Sequence, residues 1–149
     1  MKTLRITAMT LIVASLVISA TAAQETENNG RYIVTPAGDT DRPGGILLLS
    51  TTYYTITQGE TDWYSKYVSF GTDELDVDLN WGSVQNSLAI TIVAPDATLG
   101  PYYDSADGIV NGRIALSVSS PSGLTPGTWK FYITGYSVTG SQTYTFLTY

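Results

Sequence analysis

The chain of 149 residues contains no cysteine and no histidine. Without cysteine the fold has no disulfide, so a hydrophobic core must hold it together, with or without a bound metal. Without histidine the chain lacks Ser-His-Asp and Cys-His catalysis, histidine metal sites and the usual general base near neutral pH. These two absences exclude several classes of enzyme and favour a protein that is not an enzyme and has no catalytic residues.

Positive charge is scarce as well. Seven basic residues stand against 13 acidic ones, which gives a net charge of −6. The phosphates of nucleic acids and of anionic lipids repel a surface of this sign, and no basic stripe compensates for it. We therefore expect no nucleic-acid partner and no membrane contact beyond the N-terminal segment.

The N-terminal segment has the three parts of an export signal. Lys2 and Arg5 precede an apolar run over residues 6–18, and Ala-Thr-Ala at positions 20–22 offers the small-x-small pattern of a cleavage site. This predicts a signal peptide over residues 1–23 and a mature protein that is secreted or held at the cell surface. The alternative is an uncleaved anchor, because residues 6–23 are just long enough to cross a bilayer.

The mature chain divides into a polar part and a part made of strands. Residues 24–45 are rich in Gly, Pro, Asp and Asn, which predicts a linker or arm, with Arg31–Thr35 as a possible short strand. Leu75–Trp81 alternates apolar and polar residues, as a half-buried strand does. Similar runs separated by Gly and Pro turns predict an all-β, antiparallel β-sandwich of seven or eight strands, jelly-roll or Greek-key-like, over residues 46–149.

The alternation also predicts which side chains are buried. Phe131, Ile133 and the Leu75, Val77 and Leu79 face are expected in the core, together with Trp63. Tyr132 lies between Phe131 and Ile133 and is expected on the opposite face.

Three segments occur in an order that resembles a known family. They are Asp62-Trp63-Tyr64 before an aromatic strand, the apolar run Leu88–Asp96, and Pro126-Gly127-Thr128-Trp129 before the penultimate strand. Together they resemble the bacterial and archaeal pre-peptidase C-terminal domain family, which is similar to the collagen-binding domains of collagenases. The resemblance covers residues 52–149 and implies the same β-sandwich fold.

The chain departs from the family pattern at Lys66, where an aromatic residue is usual. Two explanations are open. Either a bulge shifts the register so that Tyr67 points inward, or Lys66 lies on an edge strand. A second departure is Ala97 after Pro95-Asp96, where the family has glycine.

In some members of the family, calcium bridges the N-terminal linker and the turn before the Asp-Trp-Tyr strand. The resemblance therefore implies calcium as a cofactor, with Asp62 and Glu60 as ligands from the turn and Glu25 and Glu27 from the linker. The alternatives are that these carboxylates are solvated or that Asp62 hydrogen-bonds its own turn. Asp76 and Asp78 are expected on the wet side of their strand.

Eleven tyrosines and three tryptophans supply candidates for ligand binding. An exposed aromatic patch can stack on sugars or grip a peptide. The candidates are Tyr132, Tyr136, Tyr144, Tyr102 and Tyr103. Asp104 with Asp107, or Asp76 with Asp78, are formal pairs for glycoside hydrolysis, but no catalytic motif surrounds them.

These observations favour a secreted, non-catalytic accessory module that binds an extracellular polysaccharide, peptide or envelope protein. The alternatives are a structural envelope protein that associates with itself and, less favoured, a small hydrolase that uses carboxylates.

Overall fold

The computed structural model of the chain describes residues 27–28, 30–37 and 52–149. The predicted signal peptide lies outside these residues. Within the described ranges, no helix has the length and apolar character needed to cross a membrane.

The described residues form ten strands and one 3-10 turn at Asp104–Asp107. The strands are β1 (Glu27–Asn28), β2 (Ile33–Pro36), β3 (Tyr54–Thr57), β4 (Thr61–Val68), β5 (Glu74–Asn80), β6 (Ser87–Val93), β7 (Thr98–Tyr102), β8 (Arg113–Ser119), β9 (Gly127–Ser137) and β10 (Ser141–Thr148).

Two antiparallel sheets pack face to face. The six-stranded sheet has the order β1-β2-β8-β5-β10-β3, and the four-stranded sheet has the order β4-β9-β6-β7. This confirms the predicted all-β sandwich. The sequence missed β7, whose residues Thr-Leu-Gly-Pro-Tyr interrupt the alternation.

The core lies between the sheets. Leu75, Val77 and Leu79 of β5 face Phe131 and Ile133 of β9, and all five are buried as predicted. Tyr132 points away from the core, also as predicted, and is only half-buried.

The N-terminal part of the sandwich begins earlier than the predicted boundary at residue 46. β2 pairs with β8 along its whole length, from Ile33 opposite Ser119 to Pro36 opposite Leu116. Tyr32 and Val34 are fully buried. Residues 30–37 are therefore part of the fold, and β2 overlaps the short strand that the sequence allowed at Arg31–Thr35.

The prediction that Trp63 is buried was wrong. β4 pairs with β9 in unbroken register from Thr61 opposite Thr134 to Val68 opposite Gly127, so no bulge is present. Asp62, Tyr64 and Lys66 point inward, whereas Trp63 and Tyr67 point outward with 63% and 69% of their surface exposed.

Lys66 lies on an edge strand, the second of the two explanations above. Among the described residues, β4 has a hydrogen-bonded neighbour on one side only. The Nζ atom of Lys66 donates to the carbonyl oxygen of Thr148 at 3.1 Å. Partial burial of this amine lowers its pKa.

Candidate binding face and edge groove

The outer side of the four-stranded sheet carries several large rings. Trp63 on β4 lies directly opposite Tyr132 on β9, where the Cβ atoms of a cross-strand pair are about 5 Å apart. Tyr136 is 57% exposed and packs edge-on against Tyr103, with 4.7 Å between ring centroids. We call Trp63, Tyr67, Tyr132, Tyr136 and Tyr103 the aromatic face.

The two outer sheet faces differ in charge. The outward positions of β4, β9 and β6 are uncharged apart from Lys130, and the alternation places no carboxylate among them. The outward positions of β5 on the other sheet include Glu74, Asp76 and Asp78. The aromatic face is thus a nearly neutral region on an acidic protein.

The expectation that Asp78 lies on the solvent-exposed side of its strand needs one correction. It points outward as predicted, but it is 8% exposed because Arg113 covers it. The guanidinium Nε of Arg113 lies 2.8 Å from Oδ1 of Asp78. Asp78 is therefore a paired carboxylate rather than a solvated one.

Two of the predicted ligand-binding tyrosines are buried. Tyr102 points inward beside Ile90. Tyr144 is 1% exposed, and β10 pairs with β3 and β5 of the six-stranded sheet rather than with β9. Neither side chain contributes to the aromatic face, whereas Tyr132, Tyr136 and Tyr103 do.

Tyr144 instead holds Asp62. Its phenol donates to Oδ2 of Asp62 at 2.6 Å and lies 2.7 Å from the hydroxyl of Tyr64. Burial, together with the hydrogen bonds to Asp62 and Tyr64, raises the pKa of Tyr144 well above its ordinary value.

The predicted calcium ligands are not brought together. Glu27 is on β1, at the opposite edge of the six-stranded sheet from β3, which is roughly 24 Å away at about 4.8 Å per strand. Glu60 and Asp62 lie on the β3 side, so the backbone positions of Glu27 and Asp62 are at opposite edges of the sandwich. Glu25 lies outside the described residues.

Glu60 hydrogen-bonds its own turn. Its Oε2 accepts from the backbone N–H and the hydroxyl of Thr57, both at 2.9 Å. Residues 27–28, 30–37 and 52–149 contain no group of three or more acidic side chains that could hold a metal. Calcium binding elsewhere in the chain stays a prediction.

Asp104 and Asp107 accept hydrogen bonds from backbone N–H groups. Oδ1 of Asp104 accepts from the N–H groups of Asn111, Gly112 and Arg113 at 3.1–3.2 Å. Oδ2 of Asp107 accepts from Ala115 at 3.1 Å, and burial raises the pKa of this carboxyl. The two carboxylates anchor the loop between β7 and β8.

A groove lies where the two sheets meet at β3 and β4. It has a volume of about 460 Å³ and is lined by Tyr54, Thr55, Thr61, Asp62, Trp63 and Tyr64. We call it the edge groove. Sequence reasoning missed it because its walls come from edge strands of different sheets. The one available signal was Lys66, whose position marks β4 as an edge.

No family model matches the chain. A stretch of 43 residues is 44% identical to a protein of Archaeoglobus fulgidus that is described as uncharacterized. The match covers 29% of this chain and 59% of that protein, so the chain spans about three-fifths of the relative's length. It shows a partial relative in this archaeon and does not show a family.

Proposed function

We propose that the protein is a secreted or cell-surface binding module, without catalytic activity, whose aromatic face engages an extracellular polymer. The observation that carries the proposal is the exposed Trp63 beside Tyr132, on a sheet face where the described strands place no carboxylate.

Exposed aromatic side chains suit this role energetically. A buried Trp or Tyr removes about 150–250 Å² from water, and such residues dominate the affinity of many interfaces. Here the rings stand on paired strands, with Tyr132 and Tyr136 about 13 Å apart along β9. A rigid sheet loses little conformational entropy when a ligand binds.

The side chains between the rings favour a polysaccharide as the polymer. Ser65 and Thr128 supply exposed hydroxyl groups beside Trp63 and Tyr67. Hydroxyls donate and accept hydrogen bonds, while the rings pack on apolar C–H surface, and sugars offer both kinds of group. A peptide or an envelope protein is the other outcome that the experiment below distinguishes.

A non-catalytic role rests on chemistry. The chain has no histidine or cysteine. Asp104 and Asp107 are engaged with backbone N–H groups and Asp78 with Arg113, so these carboxylates serve the fold.

Self-association through sheet edges has less support. Lys66 is an inward-pointing charge on β4, and Pro101 lies on β7, the other edge of the four-stranded sheet. Both features are known means of blocking edge-to-edge pairing.

The test is co-sedimentation of the mature protein with insoluble polysaccharides, collagen fibres and isolated cell envelopes. The proposal expects retention on at least one polysaccharide. Retention on collagen or envelopes alone would change the partner from sugar to protein. Absence from all pellets, with concentration-dependent oligomers in solution, would contradict the proposal and support a self-associating envelope protein.

A further inference from the structure

We propose that the edge groove is a second site, which binds an organic cation through the carboxylate of Asp62 and the rings of Tyr54 and Tyr64, with the outward-pointing Trp63 at its rim. This site is separate from the polymer contact of the aromatic face, although Trp63 borders both.

The lining of the groove carries one sign of charge. Its six residues are three aromatic side chains, two threonines and one carboxylate, and none is basic. The face of an aromatic ring is the negative part of its quadrupole, so rings and carboxylate attract the same kind of guest. The groove therefore complements a positive charge.

The carboxylate is held in place before a ligand arrives. Oδ2 of Asp62 accepts from Tyr144 at 2.6 Å, and Tyr64 supports Tyr144 at 2.7 Å. In the described part of the chain, no hydrogen bond is made to Oδ1 of Asp62. This oxygen remains able to face a cation without breaking an existing contact.

The charged residues near the groove also favour a cation inside it. Glu60 lies in the turn just before β4, where it accepts hydrogen bonds from Thr57. Lys66, the cation of the same strand, is directed toward the carbonyl of Thr148 and does not line the groove.

The residues that line the groove favour an organic cation over a metal ion. Calcium takes 6–8 oxygen ligands, commonly from several carboxylates. The groove offers one carboxylate and four hydroxyls, of which that of Thr61 already bonds Thr134 at 3.0 Å and that of Tyr64 lies 2.7 Å from the hydroxyl of Tyr144. Rings with a single counter-charge are instead the setting in which alkylammonium groups are bound.

The size of the groove fits a small ligand. The groove is open to solvent rather than enclosed, and its volume of about 460 Å³ is sufficient for a small ligand group. The ligand chemistry is an alkylammonium group, and it has two sources. One is a free quaternary ammonium compound, and the other is the lysine side chain of a polypeptide.

The experiment is an NMR titration of the full mature chain with three probes. Choline carries the positive charge, 3,3-dimethyl-1-butanol has the same shape without it, and N-acetyl-lysine amide represents a peptide. Shifts of the Asp62 and Trp63 amides report binding. We expect at least one of the two cations to bind at least about tenfold more tightly than the alcohol, and 0.5 M NaCl to weaken it. The cation that binds more tightly identifies the source.

Two variants locate the site. Asp62→Asn should weaken binding of the cation at least about tenfold, equivalent to about 1.4 kcal/mol. Trp63→Ala should weaken it as well, and because Trp63 is mostly exposed this variant keeps the fold. Tyr67→Ala, on the aromatic face but outside the groove, should leave the affinity unchanged.

Three results would overturn the proposal. One is equal affinity for the alcohol and both cations. Another is an Asp62→Asn or Trp63→Ala protein that binds as well as the wild type. The third is that millimolar calcium shifts these amides while neither organic cation does. Loss of polymer binding has no bearing on these outcomes, so the two proposals fail independently.

Discussion

The phenol of Tyr144 on β10 and the carboxylate of Asp62 on β4 are joined by a 2.6 Å hydrogen bond that links the two sheets. The hydroxyl of Tyr64, on the same strand as Asp62, also lies within hydrogen-bond distance of the Tyr144 phenol. The rings around it continue into the core, because Tyr64 packs on Phe146 and Phe146 packs on Phe131. The open side of the sandwich is thus closed by a polar contact supported by aromatic packing.

Replacing Tyr144 with phenylalanine tests the strength of this contact. The ring would remain, but Asp62 and Tyr64 would each lose a partner in a partly buried setting. Leaving such groups unsatisfied costs about 1–3 kcal/mol, and we expect Tyr144→Phe to lower the free energy of unfolding by this amount. Urea denaturation measures it, with the exposed Tyr136→Phe as the control that stays within error. Equal stability of the two variants would show that the bond adds nothing.

The contacts that attach the N-terminal strand make the stability of the fold depend on pH in the acid range. The Tyr32 hydroxyl donates to Asp96 at 2.6 Å, and Arg31 lies 2.7 Å from the same carboxylate. Burial alone would raise the pKa of Asp96. The hydrogen bonds from Tyr32 and Thr125 and the charge of Arg31 outweigh it and hold the pKa below its ordinary value.

A carboxyl with a depressed folded-state pKa adds stability above its unfolded pKa and loses it as pH falls through the folded one. We therefore expect Asp96→Asn to be less stable than the wild type at pH 7, with a smaller difference at pH 3, which is below the ordinary pKa of a carboxyl of about 4. Chemical denaturation at both pH values measures this. Asp73→Asn, an exposed carboxylate in the β4–β5 turn, is the control. A difference that persists unchanged in acid would contradict the role given to Asp96.

We expect Lys66 to lower the stability of the fold and, in return, to prevent the β4 edge from pairing with another chain. Lys66→Met keeps the length of the side chain and removes a partly buried charge, so the melting temperature should stay the same or rise. The edge would also lose its inward-pointing charge, so dimers and larger species should increase.

Differential scanning fluorimetry and sedimentation velocity measure the two effects of Lys66→Met. Lys130→Met, on the outward side of the central strand β9, should change neither. A Lys66→Met protein that melts several degrees lower and stays monomeric would show that the amine is needed for the fold instead.

The sequence predicted the fold class and much of the core because those strands alternate clearly. Leu75, Val77 and Leu79 are apolar on one face and separated by Asp76 and Asp78. A period of two then identifies the buried face without knowledge of the partner strand.

The same reasoning failed on β4 because both of its faces carry rings. Trp63 and Tyr67 alternate with Tyr64 and Val68, so the period does not say which set is buried. Which set is buried depends on Lys66 and on the position of β4 at an edge. That position is a property of the whole sheet.

Tyr144 was misplaced for a related reason. Its strand follows β9 in the chain, and neighbouring strands in sequence commonly pair, but β10 crosses to the other sheet. Its contact with Asp62 joins residues 82 positions apart, and no local pattern encodes it. The edge groove was invisible in the sequence for the same reason.

The role of the aromatic face is tested by comparing polymer binding of variants at two pairs of exposed aromatic residues. Trp63→Ala and Tyr136→Ala remove rings from the aromatic face. Tyr53→Ala and Phe70→Ala remove rings that are more exposed and lie elsewhere, Tyr53 beside the outer side of the six-stranded sheet and Phe70 in the β4–β5 turn. The measurement is the dissociation constant for the polymer that retains the wild-type protein. We expect at least about tenfold weaker binding for each of the first two variants and no change for the other two. Wild-type affinity in Trp63→Ala and Tyr136→Ala, or an equal loss in all four variants, would contradict this expectation.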